Sequence, residues 1–400
     1  MYAENLDSIF SKAVKHQSLF TNHQALQSDF VPDHLPFRNQ QIVNIGEVLA
    51  PILHRSKPSN LLIYGKTGTG KTAVTKYVVS RLETASKKQS INSKFIYCNT
   101  RLSGTEYRTL AELGSAIGLK IPFTGLAISE VLSRIQQHIS ENSLLIILIL
   151  DEIDYLVRAT GDDILYGLTT STESLKPGSI SMIGISNDLK FKEDLGARVV
   201  SRLSEEEMVF PPYSVQELKL ILTERAKLAF KETTYDLAAI NLCAALSGSE
   251  HGDARRAVDL LRVAGEVAER EGLLRLSEKH VRTALQKIDQ DRITEALTTL
   301  PLHAKLVLIA TLHCTKDQQA PMSGQVYDYY HQLCSKSNVD PLTTRRVSGL
   351  LTELDTLGLV TATVVNYGRY GRTKKIIPQV TDSTISEAFN QDELIKEILR

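Results

Sequence analysis

The chain begins with a mixed lead-in and then settles into short apolar runs separated by stretches of helical periodicity. Ile42, Ile45, Val48, Leu49 and Ile52 recur at helical spacing and predict one helix, while Pro32 and Pro36 interrupt anything longer upstream. From Leu61 to Phe210 strand-like runs alternate with helical ones. The strands are expected at Leu61 to Tyr64, Lys94 to Cys98, Leu144 to Leu150, Ile180 to Ser186 and Glu207 to Phe210, an alternation that signals a parallel α/β sheet. Leu144 to Leu150 is apolar without a break, which predicts a strand covered on both faces and therefore central. Pro211 and Pro212 end the pattern, and Ser214 to about Asp289 reads as helix nearly throughout. From about Asp291 the order is helix, helix, helix, then two short strands around Tyr367-Gly368-Arg369-Tyr370-Gly371, as in a winged helix-turn-helix.

These patterns divide the 400 residues, more than one hydrophobic core usually fills, into an α/β domain over 1–211, a helical domain over 212–290 and a winged-helix domain over 291–400. Forty-six basic residues balance forty-six acidic ones, so a nucleic-acid surface has to be a local patch. Leu359 to Val380 supplies one: it holds Arg369, Arg372, Lys374 and Lys375 and no acidic residue. Cys98, Cys243, Cys314 and Cys334 are far apart and have no partner at zinc-ligand spacing, which suits reduced thiols in a reducing cytosol. The start, MYAENLDSIF, has no basic region leading into an apolar one, and the longest apolar run is seven residues, so a cytoplasmic chain without membrane partners is expected.

Candidate chemistry concentrates in GKTGTGKT, comprising Gly65, Lys66, Thr67, Gly68, Thr69, Gly70, Lys71 and Thr72, between the first strand and a helical stretch. In that context the glycines let the backbone turn its N–H groups inward, Lys71 reaches the β and γ phosphates of a nucleotide, and the Thr72 hydroxyl ligates Mg²⁺. The helix that follows adds its positive end to the same anion. A glycine-rich turn with a chance lysine is the bland alternative, which the full pattern between strand and helix disfavours. The third strand ends in Asp151-Glu152, at the carboxyl edge where ligands of parallel sheets sit. Asp151 is expected to hold the metal and Glu152 to orient or deprotonate the attacking water. Asn187, at the end of the next strand, is placed to report on the γ-phosphate. Arg198 and Arg255 are candidates to stabilise charge on a transferring phosphoryl group, although surface arginines are commonly just solvated. Arg255 falls off the apolar stripe Ala254, Ala257, Val258, Leu261 and Ala264 of its helix.

The set GKTGTGKT, LILDEID, IGISND, RVVSRL and GDARRAVDLLRVAGE, in this order, resembles an AAA+ ATPase of the initiator branch. It closely resembles archaeal replication initiators of the origin-recognition and Cdc-six type. The likeness spans nearly the whole chain, from DFVPDHLPFRNQQ to PLTTRRVSGLLTELDTLGLV and NYGRYGRTKK. The resemblance implies ATP or ADP with Mg²⁺ as cofactors, Asn187 as first sensor, Arg255 as second sensor, and Arg198 as an arginine touching a neighbour's nucleotide or its own lid, with Arg202 close by. It further implies double-stranded origin DNA, the replicative helicase and paralogous initiators as partners.

At the DNA-reading end, Val347, Leu350, Leu351, Leu354 and Leu357 form a helical stripe with Thr343 or Thr344 as N-cap, and the polar side begins with Arg345 and Arg346. These two, with Ser348 on the same helix, are the expected contacts of a recognition helix; Arg369, Arg372 and Lys374 are those of a wing. The insert Tyr155 to Ser179 is longer than a crossover needs, and in the resembled branch an extra helix here approaches DNA; it offers Arg158 and Lys176 but also Asp162 and Asp163. Three functions are compatible with this inventory: an ATP-controlled origin-binding switch with slow regulatory hydrolysis, a clamp-loader-like ATPase, and a nucleotide-gated transcription regulator.

Overall fold

Leu145–Asp151, strand β3, is buried along its whole length, as its composition requires. Five strands form one parallel sheet in the order β2-β3-β4-β1-β5, with β1 Leu61–Tyr64, β2 Ser93–Asn99, β4 Ser179–Ser186 and β5 Glu206–Val209. The middle of the sheet therefore belongs to β4, and β3 lies between it and the edge strand β2. β4 concealed its position because Ser179 and Ser181 interrupt the apolar run; the Ser181 hydroxyl is buried and donates to the Pro58 carbonyl at 2.7 Å. The computed structural model describes residues 18–122, 124–171, 177–250, 252–317, 320–366, 372–390, 392 and 395.

Alternation along the strands splits the core into two layers. Ile146, Leu148 and Leu150 pack with Leu110, Ile135 and Leu156 on one face of the sheet. Ile147 and Ile149 pack on the other with Ile45, Leu49, Val74 and Val78. Each such side chain contributes roughly 1.5–3 kcal/mol by leaving water, which makes the sheet a rigid platform for its carboxyl edge. The register then decides what meets at that edge. Asp151 pairs with Asn99 and with Ile185, and Tyr64 pairs with Ser186, so the residues that follow β1, β3 and β4 emerge side by side.

The chain divides into two compact units, Met1–Thr283 and Ala284–Arg400. Within the first, the helices Val215–Ala229, Leu237–Glu250 and Ala254–Arg270 follow the sheet, the first of them opened by a capping box between Ser214 and Glu217. Residues of the lead-in pack on this helical part, where Phe20 stacks on Phe230 at 4.8 Å between centroids. The expected division at 290/291 falls inside the helix Glu278–Thr299, which also contains the start of the second unit.

The second unit holds the helices Leu302–Asp317, Ser323–Lys336 and Thr344–Thr356, the antiparallel hairpin of β6 Val360–Asn366 and β7 Arg372–Pro378, and a closing helix Asp382–Ala388. Val347, Leu350, Leu351 and Leu354 bury the inner face of Thr344–Thr356 against Leu306, Ile309 and Ile376. Thr343 is its N-cap, the hydroxyl accepting from the Arg346 N–H at 3.4 Å. Among the described residues no helix is long and apolar enough to cross a membrane.

Candidate nucleotide site and nucleic-acid interface

The loop after β1 is shaped by glycines where side chains do not fit. Gly68 and Gly70 have φ of +70° and +89°, and a Cβ on Gly68 would lie 1.7 Å from an Asp253 carboxylate oxygen. Thr69 is fully buried and closes the turn by donating to the Lys66 carbonyl at 2.9 Å, whereas Lys66 and Thr67 are exposed. Lys71 opens the helix Lys71–Lys88 and is buried beneath the loop. Its ammonium donates to the carbonyls of Gly65 at 2.7 Å and Lys66 at 2.8 Å, and to Asn187 Oδ1 at 2.9 Å. All three partners are neutral oxygens. Burial therefore pushes the Lys71 pKa down to about 8, with the Asp151 charge opposing and the Arg255 charge adding to the fall.

Thr72 donates its hydroxyl to Asp151 Oδ2 at 2.8 Å, and Tyr97 donates to the same oxygen at 2.6 Å. The other oxygen, Oδ1, accepts from the Glu152 N–H at 3.0 Å. Glu152 sits in the left-handed region at φ 55°, and its carboxylate lies 3.6 Å from Arg101. Asn187 thus joins Lys71, and Asp151 joins Thr72, side by side at one edge of the sheet.

The helical part reaches the same loop. Asp253 caps Ala254–Arg270 by accepting from the Arg256 N–H at 3.0 Å, and the Ala254 N–H donates to the Gly68 carbonyl at 3.0 Å. Arg255, exposed one residue further, is close enough for its charge to act on Lys71. Arg198 is also exposed, near the start of Ala197–Leu203, and no contact from it to the loop occurs among the described residues.

Sequence reasoning overlooked three residues here. Arg38 is almost fully buried; its guanidinium donates to Thr69 O at 3.0 Å and Pro211 O at 2.7 Å and lies 3.9 Å from the Tyr213 ring centroid. Nothing local marks an arginine in PFRN as buried, since its partners are 31 and 173 residues away. Tyr97 and Asp154 are the others. Asp154 had a signal, its spacing from Asp151 in DEID, which puts it on the first turn of Ile153–Thr160.

The donor set suits a nucleotide with its magnesium. A buried ammonium bonded to neutral oxygens favours an anion, and a hydroxyl facing a carboxylate offers the hard oxygens that Mg²⁺ takes. Lys71 and the loop N–H groups would hold phosphates, and Thr72 with Asp151 would hold the metal.

In the second unit Arg345 and Arg346 are exposed on the first turn of Thr344–Thr356, and Ser348 is half-buried. Lys374 turns back onto this helix, its ammonium donating to Thr352 Oγ1 at 2.6 Å. Lys375 is exposed on β7. Arg369 and the rest of the wing tip, like Lys176 in the insert, lie outside the described residues, as does the side chain of Arg372. Arg158 is exposed but held on the surface, paired with Asp188 and with Asp194 at 3.4 Å.

Comparisons with known proteins bear on the domains. A family model for an AAA domain matches residues 54–190, one for the Cdc6 AAA+ ATPase-type lid domain matches 219–286, and one for the CDC6 C-terminal winged helix domain matches 295–388. The ORC1-type DNA replication protein of Thermococcus kodakarensis is 46% identical over 98% of this chain and 96% of its own. ORC1-type DNA replication protein 1 of Sulfurisphaera tokodaii is 46% identical over 97% of both. The structure of Aeropyrum pernix ORC1 in complex with DNA superposes with a TM-score of 0.86 at 42% identity, covering 95% of this chain and 98% of that one. With its AAA+ sheet, lid and winged helix, the chain belongs to the origin-recognition and Cdc6 family of DNA replication initiators.

Proposed function

We propose that this protein binds double-stranded origin DNA under the control of ATP and helps recruit or load the replicative helicase, hydrolysing ATP slowly as a regulatory step. The observation that carries this reading is the bond from Ala254 N–H to Gly68 O at 3.0 Å, which joins the helix bearing Arg255 to the phosphate loop itself. A lid fixed to the loop senses whether a γ-phosphate is bound only if one closure holds it better than another, and Arg255 supplies that difference.

When bound, ATP with Mg²⁺ supplies the phosphoanhydride and the metal charge that draws its oxygens together. The chain's residues do the rest. Lys71 and the loop N–H groups orient the phosphates, Thr72 and Asp151 hold the metal, and Tyr97 fixes the Asp151 carboxylate. Glu152 is the group to orient or deprotonate water, and the Arg101 guanidinium 3.6 Å away restrains its carboxylate, in keeping with slow turnover. Asn187 and Arg255 read the γ-phosphate, while the exposed Arg198 serves a neighbouring subunit or the lid.

On the DNA side Arg345, Arg346 and Ser348 meet the major groove, with Arg369, Arg372 and Lys374 on the backbone or minor groove. The Aeropyrum relative was solved in complex with DNA, which supports DNA binding by this chain. Paralogous initiators would share the origin. Footprinting on genomic DNA with ATP or ADP tests the reading: the wild type should protect origin sites and Arg346→Ala with Arg372→Ala should not. A sharp footprint kept by the double variant, or protection confined to promoters, would overturn it.

A further inference from the structure

The chemistry assigned above leaves one strongly held carboxylate without a part. Asp154 is mostly buried, its side chain 14% exposed. Its Oδ1 accepts from the Ser186 hydroxyl at 3.0 Å and from the Asn187 N–H at 3.3 Å. Ser186 in turn accepts from the Asp188 N–H at 3.0 Å, so Asp154 and Ser186 together hold the backbone N–H groups of Asn187 and Asp188.

Arg158 stands one turn further along the same helix. Its guanidinium lies 4.0 Å from Asp154 and is bonded to Asp188 and Asp194, carboxylates of the segment that follows β4. Arg158 with two acids of that segment, and Asp154 with Ser186 and Asn187, tie the helix to it at several points. A single exposed ion pair holds little, but a network that also anchors backbone N–H groups holds a loop in one geometry.

The consequence falls on Asn187, whose Oδ1 accepts from Lys71 at 2.9 Å only while its backbone stays where Asp154 puts it. We propose that Asp154, with Arg158 as its charge partner, is the positioning residue for the γ-phosphate sensor and sets how far this protein distinguishes ATP from ADP. This inference rests on the assignment of Asn187 as sensor.

Affinities of the full chain for fluorescent ATP and ADP analogues, measured at equilibrium with Mg²⁺, test it through their ratio. Asn187→Ala should lower the ratio on the order of 10-fold, as loss of a bond near a charge does. Asp154→Ala should lower it nearly as far while leaving ADP affinity in place. Asp154→Asn should keep most of it, because the amide oxygen still accepts both bonds. A wild-type ratio in Asp154→Ala beside a lowered one in Asn187→Ala overturns the proposal and leaves the sensor standing. A wild-type ratio in Asn187→Ala removes the sensor assignment and this inference with it. Should Asp154→Ala lose its cooperative melt, Ser186→Ala takes its place, removing one of the two bonds; an unchanged ratio there overturns the proposal equally.

Discussion

Replacing Arg38 with alanine would strip the phosphate loop of its support from below. The side chain is 3% exposed and donates to Thr69 O at 3.0 Å and Pro211 O at 2.7 Å, so its loss leaves two inward-facing carbonyls without those bonds. Hydrogen bonds from a charged donor contribute about 1.5–3 kcal/mol each, and the guanidinium 3.9 Å from the Tyr213 centroid adds roughly 1 kcal/mol. Against this stands burial of the charge, which lowers the Arg38 pKa and offsets part of the gain. The balance is a net loss of about 2–4 kcal/mol, or a fall in Tm of roughly 3–7 °C for a unit of this size. Calorimetric melting reads the stability, and ADP titration reads whether the loop still forms. Arg38→Lys should recover little, because an ammonium does not span both carbonyls as the planar fork does. A variant melting within about 1 °C of wild type with unchanged ADP affinity would refute the reasoning.

Three further outcomes follow from the same geometry. Lys71, with its pKa pushed down to about 8, must regain a proton to hold a phosphate at higher pH. ATP affinity should therefore be flat below pH 8 and fall by up to about tenfold per pH unit above it, with proton uptake visible by calorimetry in buffers of different ionisation heat. Gly68→Ala would drive a Cβ to 1.7 Å from Asp253 and force an alanine to φ +70°, costing about 2–3 kcal/mol in cap and backbone and lowering Tm accordingly. Arg346→Ala should weaken origin binding by about 1–3 kcal/mol in gel-shift titrations if it reads a base, and reduce the salt slope by about 1 if it meets a phosphate.

Much of this architecture is legible in the sequence. The strands lay within a residue or so of their expected places because each is a short strand-like run fenced by helical periodicity. The winged-helix order followed from the stripe Val347 to Leu354 and the acid-free hairpin after it. What escaped depends on register and long-range packing. β4 takes the middle of the sheet while carrying serines, whose hydroxyls are satisfied by Pro58 and Asp154, contacts that no local pattern announces. Tyr97 reads as an ordinary strand aromatic until the pairing of β2 with β3 sets it beside Asp151. The bond from Lys374, the expected wing contact, to Thr352 on the neighbouring helix is likewise one that no local pattern announces.

The central claim is that a triphosphate with its metal is held between the loop at 65–72 and the acid at 151, where Lys71 is the principal cation. Calorimetric titration of ATP in Mg²⁺ into wild type and Lys71→Ala tests it most directly, with the melting curve of each as a check on folding. The account requires a loss of affinity on the order of a hundredfold or more in the variant. Equal affinity in the two proteins would contradict it.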